Sequence, residues 1–121
     1  MQTVEVAQKL VDLCRRGENL KAIDSLYSKD IVSIEAADMP NMPAEMRGVE
    51  AIKQKNKQWI ESQDVHSVDV SGPFPHGDQF AVMYKFDATD RKSGKRYDME
   101  EVALYTVKDD KIVKEEFFYK M

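Results

Sequence analysis

Along the first half of the chain apolar residues recur every three or four positions, and along the second half every second position. Helices are therefore expected first and strands afterwards. Val4, Ala7, Leu10, Val11 and Cys14 share one side of a helix expected from about Thr3 to Arg16, with Thr3 and the nearby Glu5 as its cap. Gly17 suits the left-handed position that ends such a helix. A shorter helix follows, with Leu20, Ile23, Leu26 and Tyr27 along one side, and the short link should make the two pack antiparallel or bend sharply. Ser28-Lys29-Asp30 breaks the pattern, and Ile31-Val32-Ser33-Ile34-Glu35 has the β-branched content of a short strand. Ala36 to Gly48, with Pro40, Pro43, Met39, Met42 and Met46, reads as a loop of apolar content. Val49 to Ser62 is helical again, with Val49, Ile52, Trp59 and Ile60 apolar, and the spacing from Ile52 puts Trp59 in the core.

The remainder is strand-rich. His66 to Val70 alternates, and Gly72-Pro73-Phe74-Pro75 is expected to end that strand. Phe80, Val82, Tyr84 and Phe86 form one face of the next, and Asp90 to Lys95 makes a hairpin turn. Tyr97 to Val107 is a further strand, Lys108-Asp109-Asp110-Lys111 turns the chain, and Ile112 to Tyr119 closes the domain. The order α-α-β-α followed by an antiparallel meander is that of an α+β domain. No repeat, linker or low-complexity segment divides it, so residues 1–121 form a single domain.

Composition narrows the function classes more than it identifies one. With 42% hydrophobic residues among 121, the chain can fill one ordinary core. Eighteen basic against 22 acidic residues leave a net charge of −4, which offers no general attraction to nucleic acid or to an anionic membrane. No apolar run approaches the roughly 18–20 residues of a membrane helix, and no signal peptide is visible at the start. The one cysteine, Cys14, lies on the apolar side of its helix, where a buried structural thiol in a reducing, cytoplasmic setting is expected. His66 and His76 stand ten residues apart and no cysteine cluster accompanies them, so no metal and no cofactor is expected. Phosphate loops, dinucleotide fingerprints and nucleophile elbows are absent. Lys53, Lys55 and Lys57 are read as spread around a helix, and Arg91, Lys92, Lys95 and Arg96 as a charged hairpin tip.

Three short motifs carry a resemblance that spans the chain. Leu26-Tyr27-Ser28-Lys29-Asp30 resembles the helix exit of the nuclear transport factor 2-like superfamily, with its Leu/Phe-Tyr pair and nearby acid. Met46-Arg47-Gly48-Val49-Glu50-Ala51-Ile52 resembles the Arg-Gly-x-x-Ala-Ile start of its third helix. Tyr105 to Val113 resembles its last hairpin, with Asp110 where glycine is usual. The resemblance, closest to SnoaL-like and ketosteroid isomerase-like members, implies a cone: a curved antiparallel sheet wrapped around three helices of the N-terminal half. A mostly apolar pocket is implied at the open end, and a homodimer through the convex face of the sheet. Fold does not fix function, because the superfamily includes enzymes, binding proteins and transport adaptors.

Glu35 matches the position where isomerase-like and cyclase-like members often carry a catalytic acid, at the end of a short apolar strand. Desolvation at an apolar rim would make it a better base or acid near neutral pH. Ketosteroid isomerase pairs its base with a tyrosine and a protonated aspartate that hold the oxyanion. Leu10 and Ala103 stand near those two places and donate no side-chain hydrogen bond, so steroid isomerisation is not expected.

Other polar groups are candidates for the same pocket. Glu101 and Tyr105 share a strand face with Met99 and Ala103, and Glu115 and Tyr119 share one with Val113 and Phe117. A one-residue shift would bring Glu100 and Glu116 inward instead. Tyr27, Asn56, Trp59 and Tyr84 complete the set of candidate ligand contacts, although Asn56 equally suits a buried structural position. In the enzyme reading, an isomerase, cyclase, dehydratase or hydrolase acts on a small apolar molecule. Glu35 shuttles the proton while Tyr27, Glu101, Tyr105 and Tyr119 orient the substrate. A non-catalytic binder and a protein-association module are the alternatives.

Overall fold

The computed structural model describes residues 2–36 and 43–119. Met39 and Met42 lie outside them. The elements run α1 (Thr3–Arg15), α2 (Asn19–Leu26), β1 (Tyr27–Ile34), β2 (Glu45–Arg47), α3 (Val49–Ser62), β3 (Gln63–His76), β4 (Gln79–Asp90), β5 (Arg96–Lys108) and β6 (Lys111–Phe118). The six strands form one curved, open sheet in the order β2-β1-β6-β5-β4-β3. Its β3 to β6 part is the expected antiparallel meander. The sheet as a whole is mixed, because β1 runs parallel to β6, with Ser33 opposite Glu115. A strand that precedes a helix and three further strands can add to the far edge of the meander in that direction.

The first helix is capped one residue earlier than expected: Gln2 precedes it, and the Gln2 N–H donates to Glu5 Oε1 at 3.5 Å. Gly17, at φ +73°, ends it as the sequence indicates. Glu18 N–H donates to Leu13 O and Gly17 N–H to Cys14 O, the paired bonds that satisfy the last carbonyls of a helix. Gly48, at φ +92°, precedes α3 and donates its N–H to Ile31 O at 2.8 Å, which ties the start of that helix to β1. In the last hairpin Asp109 and Asp110 both have positive φ, as the mirror-image two-residue turn requires.

Several sequence expectations are corrected. The first strand begins at Tyr27 rather than Ile31, so α2 runs into it without a loop and Ser28-Lys29-Asp30 lies within it, with Lys29 and Asp30 exposed. The apolar loop contains β2, which pairs with β1 through Met46 opposite Ser33. The third strand continues through Gly72 to Pro75, with a register shift between Ser71 and Phe74, and turns only at Gly77-Asp78. Trp59 is 37% exposed rather than core and packs edge-on against Phe86 at 5.4 Å, because α3 buries Ile52 instead.

The core lies between the helices and the concave face of the sheet. Val6, Ala7, Leu10 and Val11 of α1, Ala22, Ile23 and Leu26 of α2, and Ile52 of α3 meet Ile31, Phe80, Val82, Ala103, Tyr105 and Ile112. No helix among the described residues is long and apolar enough to cross a membrane.

Candidate functional site

Alternation decides which polar side chains reach the concave face. Buried Ile31 and Ser33 on β1 share a side with Glu35 just beyond the strand. On β5, Ala103, Tyr105 and Val107 are buried while Asp98, Glu100 and Val102 are exposed, so Glu101 faces inward. Register on β6 depends on one extra residue. Val107 pairs with Ile112 and Thr106 with Lys114, leaving Val113 bulged between them. Ile112 and Glu115 therefore both point inward, although an unbroken strand would put them on opposite faces. Val113, expected on the inner face, gives way to Ile112. Glu100 and Glu116 lie on the outer side, beside Lys85 and Lys114 respectively, so the inward pair is Glu101 and Glu115.

These side chains meet one cation that the sequence reading passed over. Lys55 on α3 reaches down to donate to Glu35 Oε1 at 2.9 Å and to Ser33 Oγ at 3.2 Å. Its side chain is 11% exposed and that of Glu35 19%, so the ion pair is largely shielded from water. Tyr119 donates its hydroxyl to Glu35 Oε2 at 2.9 Å. Glu115, 2% exposed, accepts from the Tyr27 hydroxyl at 2.5 Å and is also hydrogen-bonded to Ser33. The Lys55 ammonium stands 5.6 Å from the centre of the Phe117 ring, a cation–π contact between the two acidic positions of β6 and β1. A second polar group lies deeper: the hydroxyls of Tyr84 and Tyr105 are 2.7 Å apart, and Cys14 Sγ is 3.7 Å from that of Tyr84.

Burial raises the pKa of most of these acids. It is the largest cause for Tyr27, Tyr84 and Tyr105, whose hydroxyls stay protonated far beyond the ordinary range. Burial pushes the Cys14 thiol up to about 11, as befits a structural cysteine. Desolvation also raises Glu115, against the opposing effects of the Tyr27 hydrogen bond and the Lys55 charge. Glu101 differs from the other two carboxyls in having no hydrogen bond or ion pair with any described residue. Burial first, then the charges of Glu35 and Glu115, push it up to about 7, while Lys55 pulls it back.

An open depression of about 450 Å³ lies at the ends of β1 and β6, lined by Ile34, Glu35, Ala36, Glu116, Phe117, Phe118 and Tyr119. Glu35 and Tyr119 are thus the parts of the network nearest solvent. The structure brings together Tyr27, Glu35, Glu101, Glu115 and Tyr119, with Tyr84 and Tyr105 behind them. It does not bring in Asn56, whose side-chain amide bonds the Ile52 carbonyl of its own helix at 2.9 Å, nor Trp59, which sits with Phe86. Ser33 and Lys55 were missed. Both carried a signal: Ser33 alternates with Ile31, and Lys55 follows Ile52 by three residues, on the same helix face. Among the described residues no group of three or more His, Cys, Asp or Glu side chains is arranged to hold a metal ion.

Comparison with solved structures gives the same architecture. A Mesorhizobium loti protein, described as a candidate SnoaL-like polyketide cyclase with carbohydrate phosphatase given in brackets, is 42% identical. The match covers 98% of this chain and 100% of that one, with a TM-score of 0.93. A nuclear transport factor 2-like protein from Burkholderia thailandensis is 17% identical over 99% of this chain and 92% of its own, with a TM-score of 0.83. A Catenulispora acidiphila protein with a ketosteroid isomerase-like fold, in complex with trimethylamine, is 17% identical over 97% and 86%, with a TM-score of 0.75. No curated protein matches the chain. The SnoaL-like domain family matches residues 1–119, and the chain belongs to that family.

Proposed function

We propose that the protein is a proton-transfer enzyme of isomerase, cyclase or dehydratase type, acting on a small and largely apolar molecule, with Glu101 carrying the proton. The supporting observation is an imbalance of charge. Three carboxyl side chains face the concave side, and Lys55 is the one cation bonded among them in the described residues. Lys55 is engaged by Glu35, and Glu115 by Tyr27 and Ser33, which leaves Glu101 without a bonded partner among the described residues. A carboxyl that titrates near neutral pH can both take a proton and return it. Glu35, expected from its position to be the shuttle, is instead the fixed neighbour, held by Lys55 and Tyr119. The relative described as a candidate polyketide cyclase fits chemistry of this class, in which a proton leaves a carbon beside a carbonyl.

Deuterium incorporation tests this reading. The protein would be incubated in deuterated water with a panel of cyclic ketones and 1,3-diketones, and exchange beside the carbonyl followed by NMR. Exchange should be accelerated by the wild type and fall by about 10²- to 10⁴-fold with Glu101→Gln. Exchange that Glu101→Gln leaves untouched would remove Glu101 from the reaction. Stabilisation by the same compounds with no exchange would mark a non-catalytic binder.

The outer face of the sheet supports a homodimer. Ser71, Met83, Val102 and Phe118 lie directly opposite one another across four strands, and Phe118 is 55% exposed. Phe74, Ala81 and Leu104 form the next row. Single exposed apolar side chains are ordinary, but a contiguous patch is the usual mark of an interface. Sedimentation velocity should find a dimer, and Met83→Glu should weaken it by about tenfold or more, since a charge would be buried without a partner. A monomeric wild type would rule this surface out. The buried, unpaired Cys14 thiol fits a reducing, cytoplasmic location.

A further inference from the structure

We propose that Lys55 is a positioning residue for the proton carrier: its ammonium, fixed between Ser33 and Glu35, offsets the Glu35 charge on the concave face that Glu101 shares. This rests on the reading of Glu101 as the carrier. The placement is specific to one of three neighbouring lysines. Lys53 turns away to pair with Asp24 at 2.5 Å, and Lys57 is exposed, whereas Lys55 is shielded and points into the concave face.

The groups that face Glu101 come from every element around it. Tyr84 lies opposite it on β4, and Tyr105 lies along its own strand. Beyond them are Glu115, Phe117 and Tyr119 from β6, and Tyr27, Ser33 and Glu35 at the two ends of β1. Cys14 stands behind Tyr84. All of these are neutral or acidic, and Lys55 is the counterweight. Two of its N–H donors are committed to Glu35 and Ser33, and its remaining side faces the Phe117 ring. The ammonium is thus held at one point rather than swinging on a flexible stem. Without it, the Glu35 anion would act on Glu101 unopposed, and a like charge disfavours the ionised form of a neighbouring carboxyl.

The test reads Glu101 directly, by carboxyl-carbon NMR titration of the full chain labelled in its glutamates, and needs no substrate. Lys55→Met should raise the Glu101 midpoint by a resolvable amount, about half a pH unit or more. Lys55→Arg, which keeps the charge, should hold it closer to the wild type than Lys55→Met does, within about 0.2 unit. Glu35→Gln should lower it, and the double substitution Lys55→Met with Glu35→Gln, which removes both charges, should return it towards the wild type. An unchanged midpoint in folded Lys55→Met would overturn the proposal. If Lys55→Met does not fold, the decision passes to Glu35→Gln and the charge-balanced double variant. A midpoint unmoved by Glu35→Gln, or the double variant failing to restore it, overturns the proposal equally. A purely structural lysine would alter melting temperature and leave the titration alone. Failure here would leave the deuterium exchange result standing, while exchange indifferent to Glu101→Gln would sink the proton carrier and leave the titration intact.

Discussion

Glutamine at position 101 should make the protein more stable near pH 8 while slowing the proposed proton transfer. The sign follows from where the carboxyl titrates. Folding raises it to about 7 from 4.5, so the native state holds the proton more tightly than the unfolded chain does. Below the unfolded value both states are protonated and no penalty exists. As pH rises from about 4.5 towards 7, the unfolded chain ionises first and stability is lost; above 7 the loss is complete. A shift of that size corresponds to about 3 kcal/mol near pH 8 and under about 1 kcal/mol near pH 5. Glutamine is neutral throughout, so the Glu101→Gln protein should exceed the wild type by these amounts. Urea unfolding at the two pH values measures the difference. Equal destabilisation at both would mean that Glu101 is an ordinary packed side chain with no ionisation penalty. Paired with the expected loss of exchange, a stability gain would show a group retained at the expense of the fold, as functional groups often are.

The largest loss of stability should come from Phe80→Ala. Phe80 is 1% exposed and stacks on Tyr105 with ring centres 4.9 Å apart. Removing a buried ring of this kind costs about 3–5 kcal/mol, through lost transfer energy and the cavity left behind. For a domain whose total stability is about 5–15 kcal/mol, that leaves a marginal fold. The effect should extend to the polar centre, because the ring fixes Tyr105, and Tyr105 in turn holds the Tyr84 hydroxyl at 2.7 Å. Phe80→Leu should lose less and keep more of that order. Urea midpoints rank the three proteins; a loss below about 1 kcal/mol for alanine would mean the ring does not fill the centre of the core.

Where the physics is local, the sequence was readable. The alternation along β5 identified Glu101 as sharing a face with Ala103 and Tyr105, and Gly17 and the Asp109-Asp110 pair announced their turns through the backbone angles they tolerate. The change from helical to alternating spacing supplied the helix order and the meander, and the family motifs supplied the cone. What could not be read was set by distant partners. The Val113 bulge exists only because β6 must present both Ile112 and Glu115 to one interior, and no period-two rule foresees an inserted residue. The parallel pairing of β1 with β6 leaves no mark on either strand alone. Lys55 was overlooked for a different reason. Three lysines at alternate positions look like a solvated helix surface, and only the carboxylate across the gap makes one of them an interior group. Trp59 failed in the opposite sense: its spacing from Ile52 is right for the core, but the indole stays 37% exposed and packs edge-on against Phe86.

The parallel seam between β1 and β6 also bears on how the chain assembles its polar cluster during synthesis. Ser33 and Glu35 leave the ribosome well before Glu115 and Tyr119, and Tyr119 follows its partner Glu35 by 84 residues. A nascent chain can form its three helices and start the meander, yet its acids stay separated until the last strand emerges and docks. Contacts across so long a stretch of chain form slowly, because the whole intervening loop must be closed first. Premature termination anywhere before β6 would therefore yield a product with neither a finished sheet nor the acidic cluster of Glu35, Glu101 and Glu115.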